Sequence, residues 1–422
     1  MSRTPRGRLA ACSLLSLVIL ALSAVRADPF TPGNLVVLTV GDGSLSVGSN
    51  AATPVSLREY TTGGSFVAGS LVTFSSTGSG TKLTQSGNQS LEGSLSLSAD
   101  GQYLTLVGYN AGQGKGDVAS TSTNGNPNPN NDVVRVVGRV DLTGGVSLTT
   151  TTVNYSSVSI RSATTTDGTR IYTGGASDDL SASLRTTTFG ATGNTPLVNA
   201  VDTRVVHVFN NQLYASTKSG TIVRTDTALP TTGSNVTDLV TGIVDPVGFV
   251  VLDQDGNGTP DTLYVANQEA TASLQKYSST DGTTWTARGS ANIAVGLTGI
   301  TAVKNGTAVD IYATAGDGTV AGNTLQRFTD TAAFNADLTG SFALLATAPS
   351  GAAFRGVAFG GVAVPEPGSL LLGGAACAGL AGVALGRRGR LPGGAGRAFD
   401  GRTGQGGCAE FAKKIRKQLC AH

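Results

Sequence analysis

An all-β fold is expected from three features of the sequence: a composition rich in β-branched and turn-forming residues, a scarcity of helix-favouring ones, and a hairpin unit that recurs along the chain. The 422 residues include 59 Gly, with Thr, Ser and Val prominent beside it. β-branched side chains suit a pleated surface and Gly suits tight turns, so this balance favours many short strands. Hydrophobic residues reach 39%, enough for a core, whereas charged residues are only 13%. With a formal charge of +2 and no basic tract in the central region, nothing implies a nucleic-acid partner.

The chain opens as an export signal. Arg3, Arg6 and Arg8 precede an uncharged apolar stretch from Leu9 to Val25, and Val25-Arg26-Ala27 places small residues at −3 and −1. Residues 1–27 are therefore expected to be a signal peptide, cut by signal peptidase after Ala27. Cysteine usage agrees: Cys12, Cys377, Cys408 and Cys420 all lie outside residues 28–361. A domain of that length buries enough apolar surface without disulfides, and it offers no thiolate nucleophile or Cys-based metal site.

Within residues 28–361 one unit repeats: a strand, an Asp/Asn-Gly-type turn, and a second strand carrying a tyrosine. Ser94 to Tyr109 is the clearest copy, with Asp100-Gly101 at the turn and Tyr103 after it. Asp167-Gly168 precedes Tyr172, Asn210-Asn211 precedes Tyr214, Asn257-Gly258 precedes Tyr264, and Asn305-Gly306 precedes Tyr312. Such dipeptides supply the positive φ that tight hairpins need. The last three tyrosine intervals, 42, 50 and 48 residues, fit one four-stranded blade of a β-propeller. A third strand follows each hairpin, beginning at Leu57, Val137, Leu184, Ile222, Leu274 and Leu325, and each carries one basic residue: Arg58, Arg139, Arg185, Arg224, Lys276 or Arg327. Those six are read as solvated outer-strand charge, with a ring for an acidic polymer as the sharper alternative.

Six blades are expected, with seven as the alternative, and a β-sandwich or β-solenoid as the competing architecture. Phe354 to Gly361 resembles a first strand without a successor, and Asn34 to Gly43 a second strand without a predecessor. Joined, they would complete one blade and remove the open edges of the ring. An insertion rich in Gly, Asn and Pro, from Gly112 to Asp132, accounts for the long interval between Tyr103 and Tyr172.

The most specific chemical motif is Asp253-Gln-Asp255-Gly-Asn257-Gly-Thr259-Pro-Asp261. Alternating oxygen ligands, a Gly at the bend and a closing carboxylate suit a hard cation such as Ca²⁺. The motif resembles the Asp-rich calcium loops of FG-GAP-type propeller blades and thrombospondin-type repeats. That resemblance implies Asp253, Asp255, Asn257 and Asp261 as ligands, with the Thr259 carbonyl, in a structural site. It departs from the EF-hand, because Tyr264 stands where a bidentate Glu would close the loop. No catalytic constellation is visible, and no enzyme activity is expected. His207, alone in the apolar strand VVHVF, reads as a packed structural residue, and no nucleophile elbow, zinc-protease motif or phosphate loop is present.

After the repeats, Val364-Pro365-Glu366-Pro367 leads into the uncharged segment 369–386. As a helix it would span about 27 Å, close to the hydrocarbon thickness of a bilayer. Arg387, Arg388 and Arg390 follow and would hold that end in the cytoplasm. Residues 362–390 resemble the PEP-CTERM sorting signal of Gram-negative envelopes. The resemblance implies a transient anchor in the inner membrane and processing near Pro365–Pro367 by an exosortase-type protease. Residues 391–422 extend past the usual end of such a signal and read as a basic tail, cytoplasmic or disordered. The function expected is an exported surface binding or matrix-scaffold protein, with exopolysaccharide as the expected contact. A lactonase-like propeller hydrolase or lyase is the alternative, and an ice-binding surface protein, suggested by Thr149–Thr152 and Thr186–Thr188, the second alternative.

Overall fold

The computed structural model describes residues 30–123, 132–176, 183–198, 202–319 and 322–361. The signal-peptide and PEP-CTERM expectations, including the helix 369–386 and the tail 391–422, lie outside the described residues. The described residues all belong to the first of two units, Met1–Ala363. No helix among the described residues is long and apolar enough to cross a membrane.

The first unit is all-β. In chain order the strands are β1 (Leu35–Val40), β2 (Ala52–Tyr60), β3 (Val72–Thr73), β4 (Thr84–Ser86), β5 (Ser96–Leu97), β6 (Tyr103–Tyr109), β7 (Arg135–Asp141) and β8 (Val146–Thr152). Next come β9 (Ile160–Thr165), β10 (Arg170–Gly175), β11 (Leu184–Thr188), β12 (Thr195–Val198), β13 (Thr203–Phe209), β14 (Gln212–Thr217), β15 (Ile222–Thr225) and β16 (Val236–Val240). The last are β17 (Pro246–Leu252), β18 (Thr262–Asn267), β19 (Leu274–Ser278), β20 (Thr286–Ala291), β21 (Leu297–Asn305), β22 (Ala308–Ala315), β23 (Thr324–Asp330), β24 (Phe342–Thr347) and β25 (Ala353–Phe359).

Four antiparallel meanders of four strands follow one another: β9–β12, β13–β16, β17–β20 and β21–β24. The remaining strands form one continuous sheet, in which β25 pairs with β1, β1 with β2, and β2 with β3, while β5 pairs with β6 and β6 continues through β7 to β8. Short β4 bridges the two halves, pairing with β2 at Ala52–Pro54 and with β6 at Tyr109. The pairing of β25 with β1 runs from Leu35 opposite Phe359 to Val40 opposite Ala353. The two ends of the β-domain thus share one sheet, as the unmatched strands in the sequence suggest.

Turn chemistry fixes the hairpins. Asn210 and Asn211, with φ of 46° and 57°, make the two-residue connection between β13 and β14. Gly101 and Gly168 supply φ of 72° and 77° at their turns. At the β21–β22 hairpin Asn305 still pairs with Ala308, so the turn is Gly306-Thr307, one residue later than its dipeptide suggests.

The first strands of successive sheets stand side by side: β5 beside β9, then β13, β17, β21 and β25, with β25 again beside β5. This radial, propeller-like arrangement leaves apolar side chains to fill the wedges between sheets. Tyr214, Ile222, Phe249, Val251 and Leu263 fill one wedge, and Tyr264, Leu274, Leu297, Ile311 and Phe328 the next. Contact at the centre is close. A Cβ on Gly356 of β25 would lie 2.2 Å from the Gly93 carbonyl oxygen, so only glycine allows these backbones to meet.

Polar clasps span the joints between sheets. Arg161 of β9 pairs with Asp202 and donates to the Thr203 carbonyl at 3.2 Å. Arg204 of β13 repeats the contact one sheet on, pairing with Asp245 and donating to the Pro246 carbonyl at 3.2 Å. Fully buried Arg355 of β25 donates to the carbonyls of Gly318 and Gly87, with Glu92 as its counter-charge in the connection entering β5. Burial pushes the Glu92 carboxyl above its ordinary value, against the lowering pull of the Tyr109 hydroxyl and Arg355.

Of the six basic residues of the third strands, Arg185 and Lys276 are buried, which corrects the reading of solvated charge for those two, while Arg58, Arg139, Arg224 and Arg327 are partly exposed. Lys276 is fully buried, 2.8 Å from Asp330, which also accepts from the Tyr264 hydroxyl at 2.7 Å. The Arg139 guanidinium lies 3.4 Å from the Phe189 ring centroid in the next sheet. Three of the repeat tyrosines sit directly opposite these cations, in the pairs Tyr214–Arg224, Tyr264–Lys276 and Tyr312–Arg327. At Lys276 and Arg139 the basic residue of the repeat is therefore a packing element.

A chain ending at Ala348 loses β25, and with it the buried Phe354 and Val357. Those two side chains alone account for about 5 kcal/mol of burial. Calorimetry should show a broad, low-enthalpy transition for the truncated chain. A melt as sharp as that of the intact domain would contradict closure through β25.

Candidate functional site

Two places gather groups capable of binding. The first is the connection between β17 and β18. Pairing of Leu252 with Thr262 makes residues 253–261 a hairpin loop of nine, longer than the Asn257-Gly258 turn alone. Gly256 and Gly258, with φ of 77° and 89°, let the backbone curl so that its N–H groups face inward. Asp253 accepts from the amides of Gly256 and Gly258, both at 2.7 Å. Asp261, buried at the base, accepts from the Gln254 and Asp255 amides at 2.9 Å and from the Thr262 hydroxyl at 2.7 Å. Asp255 holds the Asn257 amide and side chain, and Asn257 in turn holds the Thr259 amide.

One oxygen from each of Asp253, Asp255 and Asp261 lies within 4.8 Å of the others. Oxygens that share a Ca²⁺ at 2.3–2.6 Å are spaced this way. Each carboxylate also has about four lone-pair directions, of which these hydrogen bonds use two or three. The donor set thus has the chemistry and spare capacity for a hard cation. Asn257 and Thr259 lie in the same loop, but the Asn257 side-chain oxygen is already engaged by the Thr259 amide. The loop is tied to the neighbouring sheet, because the Lys304 ammonium donates to the Gln254 carbonyl.

The second place is the cavity of about 250 Å³ at the centre of the first strands, lined by β5, β13, β17, β21 and β25. Its lining mixes apolar residues, Leu97, Phe209, Phe249, Ile300 and Phe359 among them, with Ser94, Ser96, Ser98, Thr298 and Thr301. His207 is the one titratable side chain among the described lining residues. Strand alternation turns His207 away from the wedge filled by Val206 and Val208, and its ring meets Phe249 edge-on with centroids 6.0 Å apart. Burial pushes the imidazole down to about 4, so it is neutral near pH 7. A neutral imidazole offers one donor and one acceptor. No hydrogen bond joins it to another described residue. The lining contains no carboxylate, ammonium or guanidinium group.

The acidic loop was legible because its residues are contiguous. The cavity was not, since its walls come from five strands spread between Ser94 and Phe359. Arg161, Arg204 and Arg355 were also missed. Their only signal is a carboxylate entering the next first strand, as in Asp202-Thr203-Arg204.

No protein-family model matches the chain, and no curated protein matches it. Among solved structures it is similar to the periplasmic gluconolactonase PpgL of Pseudomonas aeruginosa, at 12% identity over 78% of this chain and 100% of that one, with a TM-score of 0.43. It is also similar to a mutant of AofleA from Arthrobotrys oligospora, at 11% identity over 78% and 94%, with a TM-score of 0.42. A third is the WD40 β-propeller domain of Doa1, at 11% identity over 74% and 87%, with a TM-score of 0.36. At these identities and scores no activity is transferred to the chain.

Proposed function

We propose that this chain is an exported, surface-anchored binding or scaffold module built on a six-bladed β-propeller. The six-blade reading counts the β25–β1–β2–β3 and β5–β8 halves of the continuous sheet as separate blades beside the four meanders. Export and sorting are read from residues 1–27 and 362–390, whose PEP-CTERM-like order would carry the domain to the envelope and leave it there after processing. The observation that carries the binding reading is the way ionisable groups are used. The buried cations Arg161, Arg204, Lys276 and Arg355 hold sheets together, and the central cavity holds one neutral imidazole without an acid or base beside it. General acid–base chemistry needs a second group in reach. Rigid display of a surface needs only the closed ring.

A glycan array probed with residues 28–361, alongside a panel of lactones and glycosides, tests this reading. Saturable binding to an envelope polysaccharide without turnover is the expected result. Turnover of a lactone that disappears in His207→Ala would overturn it in favour of the hydrolase.

Calcium fits the same module as a structural ion in the 253–261 loop. Three carboxylates within nine residues repel one another when ionised, and Ca²⁺ would offset that repulsion while joining β17 to β18. An ion bound only by the folded state adds about 2.7 kcal/mol of stability at a hundredfold excess over Kd. Calorimetry in millimolar Ca²⁺ should therefore show a higher Tm than in chelator. Asp255→Asn should reduce the shift, and Asp337→Asn, exposed and outside the loop, should leave it unchanged. An identical Tm with and without Ca²⁺ would make the loop an ordinary Asx-rich turn.

A further inference from the structure

Of the ion pairs among the described residues, only Lys276–Asp330 has both side chains fully withdrawn from solvent, with Nζ 2.8 Å from Oδ2. Lys276 lies in β19 and Asp330 at the end of β23, so the pair crosses from one meander to the next. Tyr264, directly opposite Lys276 on β18, packs with Leu274 and Phe328 in the apolar wedge between these sheets. Holding two charges in such a place is costly, and their attraction offsets that cost poorly.

The hydrogen bonds around the pair divide its atoms into distinct roles. Asp330 Oδ1 accepts from the Ala332 and Thr339 amides at 3.0 and 3.2 Å. Oδ2 accepts from the Tyr264 hydroxyl at 2.7 Å. Lys276 Nζ also donates to the Ala333 carbonyl at 2.9 Å. An amide joining Nζ to Cγ would use these same partners. Its oxygen would keep the two backbone amides, and its N–H the Ala333 carbonyl. The Tyr264 hydroxyl would keep the Gln254 side chain. Both buried charges would disappear without stranding a donor or an acceptor.

We propose that Lys276 and Asp330 condense spontaneously into an intramolecular isopeptide bond, a covalent tie between neighbouring meanders. The Lys276 ammonium passes a proton to Asp330 Oδ2, which leaves a free amine beside a carboxylic acid. The amine lone pair attacks Cγ, and the C=O pair moves onto Oδ1, where the Ala332 and Thr339 amides stabilise it. The Cγ–Oδ2 bond then breaks and Oδ2 leaves as water, taking its second proton from the attacking nitrogen through the Tyr264 hydroxyl. That hydroxyl gives one proton and regains one. Burial and the bond to Asp330 hold it well above the ordinary phenol value, so it remains a donor. One amide and one water replace the ion pair, with no other reactant. Fixed contact in a site closed to solvent supplies the proximity that this reaction lacks in water.

Intact-mass spectrometry of the purified, denatured full chain, with its termini identified by sequencing, reads the bond directly. The expected mass is one water below that of the sequence. Trypsin should fail to cut after Lys276 and should release residues 225–288 joined to residues 328–355. Lys276→Arg, whose guanidinium stays protonated, should regain the full mass. Tyr264→Phe keeps the ring but removes the proton relay, and should leave an unlinked fraction. If these variants fail to fold, the digest of the wild-type protein decides. Folded wild-type protein at its full sequence mass, cut after Lys276, would overturn the proposal. So would loss of one water without the joined peptides, which marks a cyclised aspartyl residue instead. Complete linkage in Tyr264→Phe would overturn the role given to that hydroxyl. The glycan result has no bearing on this outcome, so the two readings fail separately.

Discussion

The architecture depends on one pairing, that of β25 with β1. A radial stack of antiparallel sheets leaves apolar faces at both ends of the stack unless the last sheet meets the first. Here the strand that completes the first sheet comes from the far end of the domain, and it brings Phe354 and Val357 into a cluster with Leu35, Val37 and Tyr60. The same strand carries Arg355 to the connection entering β5, so sheet pairing and wedge packing meet at one joint. Without β25, β1 would present an unpaired edge, and the joint with β5 would lose its glycine contact and its buried cation.

The clasps between sheets explain how a chain with so few charged residues specifies neighbours. Leu, Val and Ile pack against almost any apolar face, but a buried guanidinium tolerates only a place where carbonyls and a carboxylate await it. Arg161 and Arg204 each reach to the carboxylate entering the next first strand, and Lys276 reaches Asp330 in the next sheet. Such pairs add little net stability over apolar packing, because desolvation offsets attraction. Removing one partner is costly, at about 3–5 kcal/mol, since it strands the other charge. Their effect is to penalise misplaced sheets.

What could be read from the sequence follows from how local each signal is. The hairpins were legible because Asp-Gly and Asn-Asn dictate backbone angles within a few residues. The third strands were legible from their repeating pattern, but the environment of their basic residues was not. Lys276 is buried because Asp330, over fifty residues away, lies beside it, and no local pattern records that. Closure was legible because two strands lacked partners at opposite ends. The two-residue strands β3 and β5 carry almost no periodicity and emerge only from their neighbours. At the candidate sites, the acidic loop is a single contiguous segment, whereas the cavity is assembled from five strands and its histidine looked like an ordinary core residue.

The central claim is that β25 and β1 belong to the cooperative core and do not form a loosely docked end. Native-state hydrogen exchange across a denaturant series measures this directly, because amides in one cooperative unit share an opening free energy and its denaturant slope. The account predicts that the ladder amides of the β1–β25 pairing converge on the same global isotherm as those of β17–β18 and β21–β22. Exchange of the β25 amides through a low-energy, denaturant-independent opening, while β17–β22 remain protected, would contradict it.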